Sequence, residues 1–194
     1  RAQLIYASAG VMTVLANDGI WVVPPHRAIW MPAGMEHAIR LSGQVRMRTL
    51  YIAPEHAAAG NPELPGSCGV VAVPPLLREL ILAAMELPRL YDPNGPDGRL
   101  MEVILDQLHA LPVAPLHLPM PSDRRLTAVA DALTANPDDQ RTLAEWGRAT
   151  GASARTLARL FQSETGMSFG QWRQQVRLLE GLAITFRVGR AEEP

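Results

Sequence analysis

The chain has 194 residues, 47% of them apolar and 19% charged, with a formal net charge of −1; this excludes a disordered polyelectrolyte and leaves room for one large domain or two small ones. Cys68 is the only cysteine, so neither an internal disulfide framework nor a thiolate metal cluster can form, which points to a reducing, cytoplasmic setting. No signal-peptide pattern opens the sequence, and the apolar run 76–87 is broken by Arg78, Glu79 and Glu86, which excludes a membrane span there.

The first third reads as strands. Ala2–Ala7, Val11–Ala16, Ile20–Val23, Ala28–Met31, His37–Leu41 and Val45–Ile52 are short runs rich in β-branched and aromatic residues, separated by glycine and proline signals. Asn17-Asp18-Gly19 is a candidate hairpin turn. Strands at this spacing predict a barrel or sandwich. Pro32-Ala33-Gly34-Met35-Glu36-His37 resembles the P-x-G-x-x-H segment of the second cupin motif. In metal-binding cupins that histidine shares an ion with an upstream H-x-H pair and a carboxylate. Here the sequence opens at Arg1, within what reads as the following strand, and holds no such pair. His26 follows two prolines on a predicted loop, and the spacing selects neither Glu36 nor Glu55 as a ligand. His37 is therefore expected to line a pocket or serve the structure, with no metal or other cofactor.

From Pro74 the period changes. Leu76, Leu77, Leu80, Ile81, Ala84 and Met85 form one helical stripe, and Leu100, Val103, Ile104, Gln107, Leu108 and Leu111 another, each expected to pack. Residues 112–121 contain four prolines, cannot continue a helix, and read as a linker between domains. Leu126, Val129, Ala130 and Leu133 then mark a helix that stops before Asn136-Pro137.

The richest stretch is 142–166. Thr142 and Glu145 have capping-box spacing, and Leu143, Trp146 and Thr150 share one face. Gly151 can take the positive φ of a tight turn, and Ser153 is placed to cap the next helix. In that helix Leu157, Leu160 and Phe161 must face a core, while Arg155, Thr156, Arg159, Gln162 and Ser163 lie on the other side. The pattern is a helix-turn-helix. Arginine can pair with guanine and glutamine with adenine in the major groove, so these residues together with Ser153 are the candidate DNA-binding set. A solvated surface helix would show a similar polar stripe. The local charge separates the two readings: residues 141–177 carry six arginines against Glu145 and Glu164, about +4 in a nearly neutral chain. Ser168 and Gln171 form a second capping box, and Phe169, Trp172, Val176 and Leu179 keep one face apolar through a longer helix.

The segment resembles the first helix-turn-helix of the AraC/XylS family of bacterial transcription regulators. Arg155-Thr156-Leu157-Ala158-Arg159-Leu160-Phe161, Glu164-Thr165-Gly166-Met167-Ser168-Phe169, Trp172-Arg173 and Arg177-Leu178-Leu179 follow the family pattern in order and spacing. Gly147 departs from it, standing where the family usually has alanine. The resemblance implies an α+β chain: a cupin-like barrel over 1–73, lacking its upstream strand; a helical pair over 74–111 that can form a homodimer; the linker 112–121; a helix-turn-helix domain with its connecting helix over 122–183; and a tail over 184–194. It also implies that the second helix-turn-helix of the family is missing.

The function expected from this resemblance is transcription regulation through double-stranded DNA, responsive to a small-molecule effector, with Tyr6, Trp30 and His37 as candidate effector-binding residues. Two alternatives stand beside it. One is a truncated regulator that acts through dimerisation without DNA. The other is a metal-dependent cupin, which lacks a complete ligand set; the sequence carries no catalytic Ser/His/Asp or Cys/His constellation.

Overall fold

A computed structural model describes residues 1–17, 19–53, 66–109 and 113–188. Asp18 of the expected hairpin turn, Glu55, Leu111 and residues 189–194 of the expected tail lie outside them.

Seven strands form one sheet: β1 (Ala2–Ala16), β2 (Gly19–Val23), β3 (Arg27–Met31), β4 (His37–Ile52), β5 (Gly69–Ala72), β6 (Val113–Ala114) and β7 (His117–Pro119). β1 is the spine. β4 pairs with it from Ala2↔Ile52 to Ala16↔His37, while β3 takes residues 3–7 and β2 residues 12–16 of β1. The remaining pairs, β3–β5, β5–β6 and β2–β7, give the path β6-β5-β3-β1-β2-β7. β6 and β7 stand at opposite ends of that path, yet only residues 115 and 116 separate them in sequence. A chain advances at most about 3.6 Å per residue, so the sheet must curl back on itself into a nearly closed barrel. The Val22 amide donates to the Leu116 carbonyl (3.1 Å), carrying the β2–β7 register into that connection.

The expected strands 2–7 and 11–16 are one strand, as are 37–41 and 45–52. Gly10, at φ +71°, is a bulge inside a strand and not its end, and the register of β1 against β4 shifts on both sides of Ala9. The shift changes which residues point inward. Before it, Ile5 and Ala7 face the barrel interior and Leu4 and Tyr6 face out; after it, Met12 and Val14 face in and Val11 faces out. One strand thereby serves an inner core and two different outer layers.

The first outer layer is α1 (Pro75–Met85) and α2 (Pro96–His109), whose Leu77, Ile81, Ile104 and Leu108 bury Leu4, Tyr6, Trp30 and Val71. Leu76 and Val103, expected within the packed stripes, are 57% and 41% exposed. The second layer is α3 (Arg124–Ala135), α4 (Leu143–Thr150), α5 (Ala154–Thr165) and α6 (Phe169–Val188). Leu126, Val129, Leu133, Trp146, Leu157, Phe161, Trp172, Val176 and Leu179 share one core with Val11, Val22 and Leu118 of the sheet. The proline-rich stretch read as a linker is built into the sheet as β6 and β7. Edge strands tolerate proline because one of their edges needs no amide donor.

Replacing Gly10 tests the bulge. An added Cβ would lie 2.7 Å from Val45 Cγ2 and 2.9 Å from the Gln44 carbonyl oxygen, whereas at Gly34 (φ +82°) it would meet nothing. Gly34→Ala carries only left-handed strain, about 1–2 kcal/mol; Gly10→Ala adds steric conflict for a total of about 2–4 kcal/mol. Urea unfolding of both variants measures the difference, and equal losses would show that contact with Val45 does not fix the glycine.

Candidate nucleic-acid interface

The four helices α3–α6 are capped by their own side chains. Asp123 accepts from the Arg125 amide (2.9 Å) at the start of α3. At α4, Glu145 accepts from the Thr142 amide (2.7 Å) and Thr142 Oγ1 accepts from the Glu145 amide (3.3 Å), completing the capping box. Ser153 Oγ accepts from the Thr156 amide (3.0 Å) at α5, and Ser168 and Gln171 repeat the box at α6. Gly151 closes α4 at φ 70°, ψ 32°, and Gly166 closes α5 at φ 70°.

These caps set the angle between α4 and α5. Leu157 and Phe161 are fully buried, Leu160 is half-buried, and Phe161 lies 5.4 Å from Phe169 and 5.7 Å from Trp172 between ring centres. Gly147 is buried at the contact. A Cβ there would sit 2.5 Å from the Ala152 carbonyl oxygen, so the missing methyl lets α4 meet the turn. The loss of helix propensity is local; the close approach is what the glycine permits.

With one side of α5 fixed, the other is open. Arg155, Arg159, Gln162, Ser163 and Ser153 are exposed, and Thr156 is half-buried. They do not stand equally free. Ser153 and Thr156 bond each other in the cap (2.8 Å), the Gln162 amide donates to the Gly166 carbonyl (3.1 Å), and the Ser163 hydroxyl to the Leu160 carbonyl (3.1 Å). Arg155 and Arg159 make no side-chain hydrogen bond or ion pair among the described residues. An α-helix about 10–12 Å across fits a major groove about 12 Å wide, and α5 presents both guanidinium groups one turn apart.

The basic patch divides in two. Arg141 is paired with Asp139 (2.6 Å) and stacks on Trp146 (3.5 Å to the ring centre). Arg173 donates to the Arg141 carbonyl (3.4 Å) and Arg177 Nε to the Pro137 carbonyl (2.8 Å). Arg148, exposed in the last turn of α4, helps lower the Glu145 carboxyl by its charge but, like Arg155 and Arg159, makes no side-chain hydrogen bond or ion pair among the described residues; charge counted along the sequence does not place it. Glu164 is turned away from them: its Oε2 accepts from the Ser122 and Asp123 amides (2.7 and 3.0 Å) and the Ser122 hydroxyl (3.2 Å). No local signal reveals this, since the partners are 41 and 42 residues away.

Of the candidate effector residues, Tyr6 and Trp30 share one buried cluster and His37 stands apart. Tyr6 and Trp30 are buried on neighbouring strands beneath α1 and α2, not on the inner side of the sheet. His37 stands at the far end of β1, opposite Ala16, with Nδ1 3.1 Å from the Met35 carbonyl oxygen. His26 sits in the turn between β2 and β3 at φ 62°. No group of three potential metal ligands occurs among the described residues, and no described helix is long and apolar enough to cross a membrane.

A curled sheet thus carries a capped helix-turn-helix on its outer face. Residues 1–109 match the AraC-like ligand-binding domain, so the chain belongs to that AraC-like family. The chain is 33% identical over 182 residues to the HTH-type transcriptional regulator NimR of Escherichia coli K12, covering 94% of this chain and 65% of that protein. It is 47% identical over 60 residues to the HTH-type transcriptional regulator RipA of Corynebacterium glutamicum, covering 31% of this chain and 18% of that one. Among solved structures, the AraC-like transcriptional activator CuxR aligns at a TM-score of 0.45 and 17% identity, covering 93% of this chain and 66% of that one. The chain thus spans just under two thirds of the length of NimR and a smaller share of RipA.

Two measurements probe this architecture. Gly147→Ala is expected to cost about 1–3 kcal/mol by overpacking, against the roughly 1 kcal/mol gain that helix propensity alone would give; a stabilised variant in thermal unfolding would remove the close-approach argument. Acid acts through the caps. The Arg125 side chain, then its amide, holds the Asp123 carboxyl down from 3.8 to about 2, the Arg141 side chain lowers Asp139, and the Thr142 amide lowers Glu145. Carboxyls depressed in the folded state stabilise it fully above their unfolded pKa and lose that effect as pH falls through the folded value. Stability is therefore expected to fall between about pH 4 and about pH 2. Asp123→Asn, which can still cap the helix, should flatten that slope in pH-dependent denaturation.

Proposed function

We propose that this chain is a cytoplasmic, effector-responsive regulator that reads double-stranded DNA with α5. The observation that carries the reading is the pair Arg155 and Arg159, exposed and unpaired on a helix whose opposite side is locked into the core. Guanidinium groups so placed can form bidentate pairs with guanine, while Arg148 is available to a phosphate. Binding by one such unit falls in the weak range, about 10⁻⁶ to 10⁻⁴ M. Self-association through α1 and α2, supported by exposed Leu76 and Val103, would set two units on neighbouring half-sites.

Selection of bound duplexes from a random pool, followed by anisotropy titration at two salt concentrations, tests the reading. Arg155→Ala and Arg159→Ala are each expected to weaken binding to the selected sequence by about 1–3 kcal/mol and to relax preference at one position. Arg148→Ala should weaken binding to all sequences alike and reduce the salt slope. Unchanged binding in all three variants would remove α5 as the reading element. Retained dimerisation with no DNA binding would instead favour a regulator acting through partner copies.

A further inference from the structure

The junction between the sheet and the helices is not sealed. Two adjoining recesses of about 240 Å³ and about 480 Å³ open between the outer face of the sheet and helices α3 and α6, sharing Leu15, Ile20, Arg40 and Thr134. The inner face of the sheet, by contrast, is filled by Met12, Trp21, Ile29 and Met31, each exposed by 2% or less. The cleft has an apolar floor, to which Leu118 and Leu179 also contribute, and charged groups of both signs: Arg40 lines both recesses, Glu180 the smaller and Asp131 the larger. None of the three makes a side-chain hydrogen bond or ion pair among the described residues.

Opposite charges that line one cleft without pairing select for a ligand that bridges them. A simple anion at Arg40 would bring its charge toward two carboxylates, and a simple cation at Glu180 would approach a guanidinium; each loses part of what it gains. A molecule carrying both charges and an apolar body can meet Arg40 with its anionic end and the Glu180 carboxylate with its cationic end in the smaller recess. We propose that this cleft is the effector site and that its ligand is a small zwitterion with an apolar side chain, of the free amino acid class. The assignment rests on the effector-responsive reading above. Because Arg40 belongs to the sheet and Glu180 to α6, a bound zwitterion would tie the barrel to the helix that follows the reading unit. Clefts between structural layers are common ligand sites.

Calorimetric titration and thermal unfolding of the whole chain with L-phenylalanine and L-leucine test the proposal, with phenylacetate and 2-phenylethylamine as the two half-charged controls. At least one amino acid should bind saturably and raise the unfolding midpoint with concentration. Each control should bind at least about tenfold more weakly, and Arg40→Gln and Glu180→Gln should each weaken the amino acid at least about tenfold. Thr134→Trp, which obstructs the cleft from α3, should give the same loss by a second route. Binding of phenylacetate as tight as that of L-phenylalanine, binding undiminished in all three variants, or no saturable binding of either amino acid would overturn it. Anisotropy with duplex DNA separates this from the parent reading. DNA binding with no amino-acid response overturns the cleft assignment alone, and cleft-dependent amino-acid binding without DNA binding overturns the DNA-reading role alone.

Discussion

The architecture depends on one apolar contact: the outward face of β1, β2 and β7 buried against α3 and α6. Val11, Val22 and Leu118 belong to the same core as Leu126, Leu133, Trp172 and Val176. Fully burying a side chain of this size is worth about 1.5–3 kcal/mol, so a handful of such residues outweighs the polar interface usual between domains of one chain. Direction comes from hydrogen bonds at the same place. The Trp172 indole donates to the Pro119 carbonyl (2.8 Å), and the Gln175 amide to the carbonyls of Pro115 and His117 (2.9 and 3.1 Å). His117 in turn stacks on Trp21 at 4.5 Å, so α6 is fastened to β7 and β7 to the barrel.

The charge pattern follows from that scaffold. Arg141, Arg173 and Arg177 spend their donors on the turns that hold α3, α4 and α6 in place, leaving a smaller and better located set at the surface. A count of arginines along 141–177 overstates the electrostatic attraction such a domain can offer, because the Asp139 carboxylate offsets the charge of Arg141, while Arg173 and Arg177 keep their charge but are held to backbone carbonyls.

What could be read from the sequence was what is determined locally. Thr142 with Glu145, Ser153, and Ser168 with Gln171 cap the helices as their spacing predicts, since each cap involves residues three apart. The buried stripes of α3, α5 and α6 follow from helical period alone. Non-local features were hidden. Gly10 carries the same signal whether it ends a strand or bulges one, and only the pairing of β1 with β4 distinguishes them. The prolines around β6 and β7 signal an end to helix equally well for a free linker and for edge strands. Strand alternation gives two faces without saying which one a helical layer will cover, so the burial of Tyr6 and Trp30 beneath α1 and α2 was not legible.

Glu164 has a consequence for motion. Its carboxylate holds the two amides and the hydroxyl that open α3, although it belongs to α5. Tilting α5 by itself would exchange these three bonds for water, so they couple the end of α5 to the start of α3.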